Sequence, residues 1–269
     1  MKNRRWLALA LALCMVLPLA ACGLKPAAPW PSLREGGSLM RGNGNVVEQK
    51  TPIPDDERGY SLRITGISLR GSSGSEPSIK LIIDESLPRE VVLTTDENIA
   101  ACISVSCDAG AGEMGAVVID LTRRVVFTPT KLTIAVGAPV RALDINGAWN
   151  FTYDCPGVTA CKASINGAAN GKFTFGALDS LRVDVNGTGD ITLAGAAARA
   201  DLTINGAANI RAFGLAAEAA RVAINGTGNC DITATGTLSA EINGLGNVVY
   251  GGDPVVKKQI HGLGAVKAR

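Results

Sequence analysis

Histidine is all but missing from this chain, His261 being the only one. A His-dependent triad or a His-rich metal site would have to be built around that single residue, and no nucleophile elbow accompanies it. Basic runs are as scarce, none being longer than Lys257-Lys258, which leaves no charged stretch to attract nucleic acid or anionic lipid. The nine-residue acidic repeat that binds calcium in β-rolls is absent. Beyond the N-terminal segment, no stretch shows helical periodicity. The sequence therefore implies no cofactor, no metal and no nucleic-acid partner.

What it has instead is a repeat. A β-branched residue, a turn dipeptide and a small-residue tail recur seven times: Ile145-Asn146-Gly147, Ile165-Asn166-Gly167, Val185-Asn186-Gly187, Ile204-Asn205-Gly206, Ile224-Asn225-Gly226, Ile242-Asn243-Gly244 and Ile260-His261-Gly262. The spacings are 20, 20, 19, 20, 18 and 18 residues. A period of that length, carried by tight turns between short alternating segments, predicts a coil whose laps rest on one another.

The residues before each turn show which side chains face inward. Leu143, Ala163, Val183, Leu202, Val222 and Ala240 stand three before the Asn, and the β-branched residue stands one before it. Between them lie Asp144, Ser164, Asp184, Thr203, Ala223 or Glu241. That alternation is a strand, aliphatic side inward. After the turn it resumes with Phe151, Ile191, Ile210, Cys230 and Val248, then Tyr153, Phe173, Leu193, Ile232 and Tyr250. A single lap cannot bury these side chains; stacking at about 4.8 Å per lap can. Asn146, Asn166, Asn186, Asn205, Asn225 and Asn243 then form a structural column, because Asn-Gly suits a tight corner and stacked amides hydrogen-bond to one another. A second polar column follows at Asn150, Asn170, Asp190, Asn209, Asn229 and Asn247.

The N-terminal segment has a different origin. Lys2, Arg4 and Arg5 precede an apolar run from Trp6 to Leu19, the pattern of a secretory signal rather than a spanning helix. Leu19-Ala20-Ala21-Cys22 resembles the bacterial lipobox, which implies cleavage before Cys22 and acylation of that residue. Each buried methylene of such an anchor contributes about 0.8 kcal/mol to membrane attachment. Removing residues 1–21 takes three of the 26 basic residues and none of the 24 acidic ones, leaving the remainder about neutral. Residues 22–38, with Pro26, Pro29 and Pro31, have the composition of a tether. The expected product is an exported protein held at the bacterial cell envelope, at the outer membrane or the periplasmic face.

Export permits disulfides. Cys102 with Cys107 and Cys155 with Cys161 are each spaced to close a short loop, while Cys230, in an inward slot, is expected to be a buried free thiol. Residues 39–269 form the expected domain, with regular laps from about 140. Before that, Tyr60 to Leu69, Ser78 to Ile83, Glu90 to Thr95, Ala116 to Leu121, Val125 to Thr128 and Lys131 to Val136 read as short strands. They are either irregular early laps or a cap over one end, and continuity with the laps is the preferred reading.

Several residues invite a chemical reading. Asp144 and Asp184 share an outward phase but lie two laps apart, about 10 Å, beyond the ~6.5–9.5 Å of an inverting carboxylate pair. Asp144, Asp184, Asp190 or Arg182 gathered in a groove would favour a polysaccharide-acting hydrolase or lyase; a flat face would favour a binding scaffold. Gly110-Ala111-Gly112-Glu113-Met114-Gly115 has dinucleotide-loop spacing but precedes a strand, so it reads as a hairpin loop. Trp149 stands where other laps have Ala or Gly and is read as packing, and Phe213 is read as outward-facing. His261 takes the place of a turn Asn.

The series Ile-Asn-Gly-Ala-Ala-Asn, Val-Asn-Gly-Thr-Gly-Asp and Ile-Asn-Gly-Thr-Gly-Asn, with Gly42-Asn43-Gly44-Asn45-Val46-Val47 opening the domain behind a lipoprotein signal, resembles the auto-transporter adhesin head family, the GIN domain. The resemblance covers roughly residues 39 to 269 and implies a right-handed parallel β-helix with an adhesive role. It carries over no site residue. The resulting expectation is an all-β solenoid of about 20-residue laps, lipid-anchored, offering a flat polar face to an envelope glycan or protein, with end-to-end stacking as one route to self-association.

Overall fold

Stacked aliphatic files build this molecule. In the computed structural model, which describes residues 39–69, 78–110, 114–121, 126–128 and 131–269, Ile145, Ile165, Val185, Ile204, Ile224, Ile242 and Ile260 lie in register on successive parallel strands. All are buried except Ile260, in the last lap. Each buried side chain of this size contributes roughly 1.5–3 kcal/mol, against about 0–1 kcal/mol for an exposed ion pair. The aliphatic files therefore hold the coil. The signal segment, Cys22 and the tether lie outside the described residues.

The regular part comprises β10 (Val140–Cys155), β11 (Ala160–Ile165), β12 (Ala168–Val185), β13 (Thr188–Ile204), β14 (Ala207–Ile224), β15 (Thr227–Ile242), β16 (Leu245–Gly251), β17 (Val255–Ile260) and β18 (Leu263–Ala268). Every pairing among them is parallel. The chain is thus a parallel β-solenoid of about six turns. At each corner the Asn N–H donates to the β-branched carbonyl one lap earlier, at 2.8 Å from Asn166 to His261. Consecutive corners stand in one file.

The corner glycines are required for a different reason from the one expected. A Cβ on Gly167, Gly187, Gly206, Gly226, Gly244 or Gly262 would lie 1.8–2.0 Å from the carbonyl oxygen of the glycine beneath it, and none of these six has a positive φ. Close approach of stacked backbones, not left-handed conformation, excludes a side chain there.

The first half holds β1 (Leu39–Arg41), β2 (Val46–Pro52), β3 (Tyr60–Leu69), β4 (Ser78–Asp84), β5 (Glu90–Asp96), the one-turn helix α1 (Glu97–Ala100), β6 (Ile103–Asp108), β7 (Gly115–Leu121), β8 (Val126–Thr128) and β9 (Lys131–Val136). It supplies both laps and a cap. β10 pairs in parallel with β3 and β4, which pair in turn with β7 and β9. The later segment, 115–136, therefore lies outside the earlier one, and lap order departs from chain order. Beyond it β5 and β6 run antiparallel to β9 and β7, and β2 runs antiparallel to β5. α1, too short to show periodicity in sequence, buries Ile99 and Ala100. The opening Gly42–Asn45 segment docks on this cap: Gly44 N donates to Asp96 Oδ1 at 2.8 Å, and Asn45 Nδ2 to Glu97 Oε2 at 2.8 Å.

At the opposite end Lys258 takes the register position after Ala240, in the same file as Val222, Leu202, Val183 and Ala163. A charge ends an inward row.

Candidate functional site

The outer surface is not flat, contrary to expectation. On the face preceding the Asn-Gly corner, two outward columns run across the laps: Ala116, Ser61, Ala142, Lys162, Arg182 in one and Val118, Arg63, Asp144, Ser164, Asp184, Thr203 in the other. Where the small residues Ser61, Ala142 and Ser164 meet the long Arg63, Lys162 and Arg182, an open hollow of about 610 Å³ results. Such a volume lies within the range of small-ligand sites, about 300–1,000 Å³.

Three of the four residues weighed as catalytic candidates, Asp144, Asp184 and Arg182, line this hollow. Their partners argue against acid–base work. Arg182 Nε donates to Asp184 Oδ2 at 2.8 Å. Asp144 Oδ1 accepts from Asn166 Nδ2 at 3.0 Å and Asn146 Nδ2 at 3.2 Å, and its Oδ2 lies 3.8 Å from Arg63 Nε. Both carboxylates are committed to guanidinium or amide partners, with Ser164 in register between them. Lys162 has no salt bridge among the described residues. The hollow offers guanidinium and ammonium donors, carboxylate acceptors and hydroxyls: recognition chemistry for a polar ligand.

One wall is the first Asn column. Asn186 Nδ2 donates to Asn166 Oδ1 at 2.8 Å, Asn205 to Asn186 at 2.7 Å, Asn225 to Asn205 at 2.8 Å and Asn243 to Asn225 at 2.9 Å. The hydrogen bonds run one way and finish on the Asp144 carboxylate. Those donors are used within the column. His261 occupies the next register position and is exposed, three laps past Asn205 at the rim of the hollow. It takes no part there.

Across the corner lies a second open groove of about 640 Å³, bordered by Lys80, Ile82, Asn150, Thr152, Asn170, Lys172, Asp190 and Thr192. Asp190, the fourth candidate, is here and not in the first hollow. Its Oδ1 accepts from Asn209 at 3.0 Å and lies 3.2 Å from Arg211 Nη2.

Aromatic packing seals the joint between the halves. Phe151 and Phe173 meet edge-on with centroids 5.1 Å apart, and Phe173 and Phe175 stack at 5.5 Å. Gly171 faces inward, and a Cβ there would lie 2.0 Å from the Phe151 ring, so the ring occupies its slot. Trp149 is buried, whereas Phe213 is half-buried beneath the Arg269 guanidinium, 4.7 Å from its centroid. Burial raises the thiols of Cys155 and Cys161 to about 11 and about 12, and raises Cys230 as well. Cys155 and Cys161 both interact with the Tyr153 hydroxyl, which donates to Val140 O. Cys102 lies buried with its thiol 3.7 Å from Asn98 O, and Cys107 is half-buried on β6. Among the described residues no group of three or more His, Cys, Asp or Glu side chains is placed to hold a metal ion, and no helix is long and apolar enough to cross a membrane.

Sequence reasoning missed Arg63, Lys80, Lys162 and Lys172. Lys162 was visible in principle, since it shares the register of Arg182. Arg63 and Lys80 were not, because their laps enter the stack out of chain order.

The family described as "Putative auto-transporter adhesin, head GIN domain" matches residues 74–254, more than half of the chain. Among solved structures, a "putative adhesin" from Bacteroides fragilis is 18% identical with a TM-score of 0.65. A "putative lipid binding protein" from Parabacteroides distasonis is 19% identical at 0.58, and a "putative adhesin" from the same organism is 20% identical at 0.55. Each alignment covers 86% of this chain and 100% of the other. At these identities the likeness is one of fold. No curated protein matches the chain.

Proposed function

We propose, for a chain that belongs to the auto-transporter adhesin head GIN domain family, that it is a lipid-anchored envelope protein whose solenoid binds an envelope glycan or surface protein without chemistry of its own. The observation carrying this reading is the first hollow, where donors and acceptors from five neighbouring strands converge on one open surface. The anchor rests on Leu19-Ala20-Ala21-Cys22, with Cys22 acylated, residues 22–38 as tether and 39–269 as the binding domain. Adhesin names among the fold neighbours agree with a binding role.

A hydrolase or lyase would need the gathered carboxylates to act as acid and base. Asp144 and Asp184 are instead ion-paired and stand about 10 Å apart by lap spacing.

Every described strand pairs within residues 39–269, so that segment suits a screen against envelope glycans and surface proteins. A ligand is expected whose binding falls at least tenfold in Arg182→Ala with Lys162→Ala. Failure to bind any component, or unchanged binding by the double variant, refutes the role of the hollow. For the anchor, Cys22→Ser should move the protein from the membrane fraction to the soluble one.

A further inference from the structure

The two polar columns begin differently. The first starts on a carboxylate, Asp144, which receives the Asn166 amide. The second starts at Asn150, whose Oδ1 is taken by Asn170 Nδ2 at 3.2 Å, so its own Nδ2 hydrogens remain for another acceptor. Among the described residues no carboxylate accepts from Asn150 Nδ2. Lys80 precedes the Leu81–Phe151 pair as Asn150 does, and Lys172 pairs in register with Thr152. Neither lysine forms a salt bridge among the described residues. Asp190, the acidic residue of this groove, is held by Arg211 and Asn209.

Two ammonium groups and an amide donor thus border a groove whose one carboxylate, Asp190, is engaged by Arg211 and Asn209 and forms no salt bridge with either lysine. Between them the floor is apolar: Ile82 is half-buried, and the lysine stems and the methyls of Thr152 and Thr192 add hydrocarbon. A ligand matching both parts carries an anionic oxygen head on a short apolar body.

We propose that the groove between Lys80 and Lys172 is a second binding site that takes the anionic head of an amphiphile, a carboxylate or phosphate on an alkyl chain. The head lies between the two ammonium groups and accepts from Asn150 Nδ2; the chain runs over Ile82. This extends the reading that the outer faces bind ligands, but it uses another face and other residues.

The test is calorimetric titration of the full chain in phosphatidylcholine nanodiscs, with empty nanodiscs as the blank. The probes are hexyl phosphate, hexanoate, hexanol and inorganic phosphate. Hexyl phosphate is expected to bind one to one, at least tenfold more tightly than hexanol or inorganic phosphate. Lys80→Gln with Lys172→Gln should weaken it at least tenfold, and Lys80→Arg with Lys172→Arg should retain it. No binding, or undiminished binding by the Gln pair, overturns the site. Equal binding of inorganic phosphate and hexyl phosphate overturns the apolar half, leaving a free anion as the source. Lys162→Ala with Arg182→Ala should leave hexyl phosphate binding unchanged while abolishing that of any ligand of the first hollow, so either site can fail alone.

Discussion

Asn205 Nδ2 donates to Asn186 Oδ1 at 2.7 Å, and Asn205 Oδ1 accepts from Asn225 Nδ2 at 2.8 Å. Each amide in mid-column is at once donor and acceptor to the laps on either side. Asn205→Ala removes both bonds, and at about 0.5–1.5 kcal/mol net each the expected loss is about 1–2 kcal/mol, kept modest because water reaches the column. Urea unfolding of Asn205→Ala against the parent measures it. No change would show that solvent replaces the column.

The glycine beside it is less forgiving. A Cβ on Gly206 would lie 1.9 Å from Gly187 O, and a stacked backbone cannot swing aside as a side chain does. Gly206→Ala is expected to cost at least the ~1–3 kcal/mol typical of overpacking, seen as a lowered Tm. Thr203→Ala, on the adjacent outward position, should leave Tm nearly unchanged.

Acid should act through Asp56. Its carboxylate is held at about 2 by the Arg58 side chain first and the Arg58 backbone N–H second, with Nε and Nη2 both at 2.9 Å. The folded value lies below the ordinary Asp value of about 3.9, so this contribution is present above pH ~4 and fades as pH falls through about 2. Asp56→Asn should be less stable than the parent at neutral pH, with the gap closing toward pH 2 in paired melts.

The buried thiols give a kinetic prediction. Cys155 and Cys161, raised to about 11 and about 12 by burial, and the fully buried Cys230 hold almost no thiolate at pH 8. In reduced protein, iodoacetamide followed by mass spectrometry should leave these three unmodified in the native state and label them after unfolding. Labelling of native Cys230 would contradict its inward placement.

The regular laps were legible because one period repeated both the corner and the inward alternation. Ile165, Val183 and Phe173 could be assigned to the interior by counting from an Asn, and they are buried. The first half resisted counting for a topological reason. β3 and β7 are neighbours across antiparallel strands and a helical turn, and no fixed spacing records that. β2 passed unrecognised because it is mostly exposed and alternates weakly, whereas β6 alternates strictly, Ile103, Val105 and Cys107 against Ser104, Ser106 and Asp108, and its signal was there to read. The reason assigned to the corner glycines was also incomplete, since a sequence shows a residue's own conformational freedom but not the carbonyl of the lap beneath. The hollow followed from the same limit: Ser61, Ala142 and Ser164 become a depression only when three distant segments are laid side by side.

Lys258 places a charge at the exposed end of an inward row. A second copy laid on this end would roof over an ammonium group and strip its water, above the Ala240 and Val222 of the same file. That desolvation cost disfavours edge-to-edge pairing at this end of the sheet.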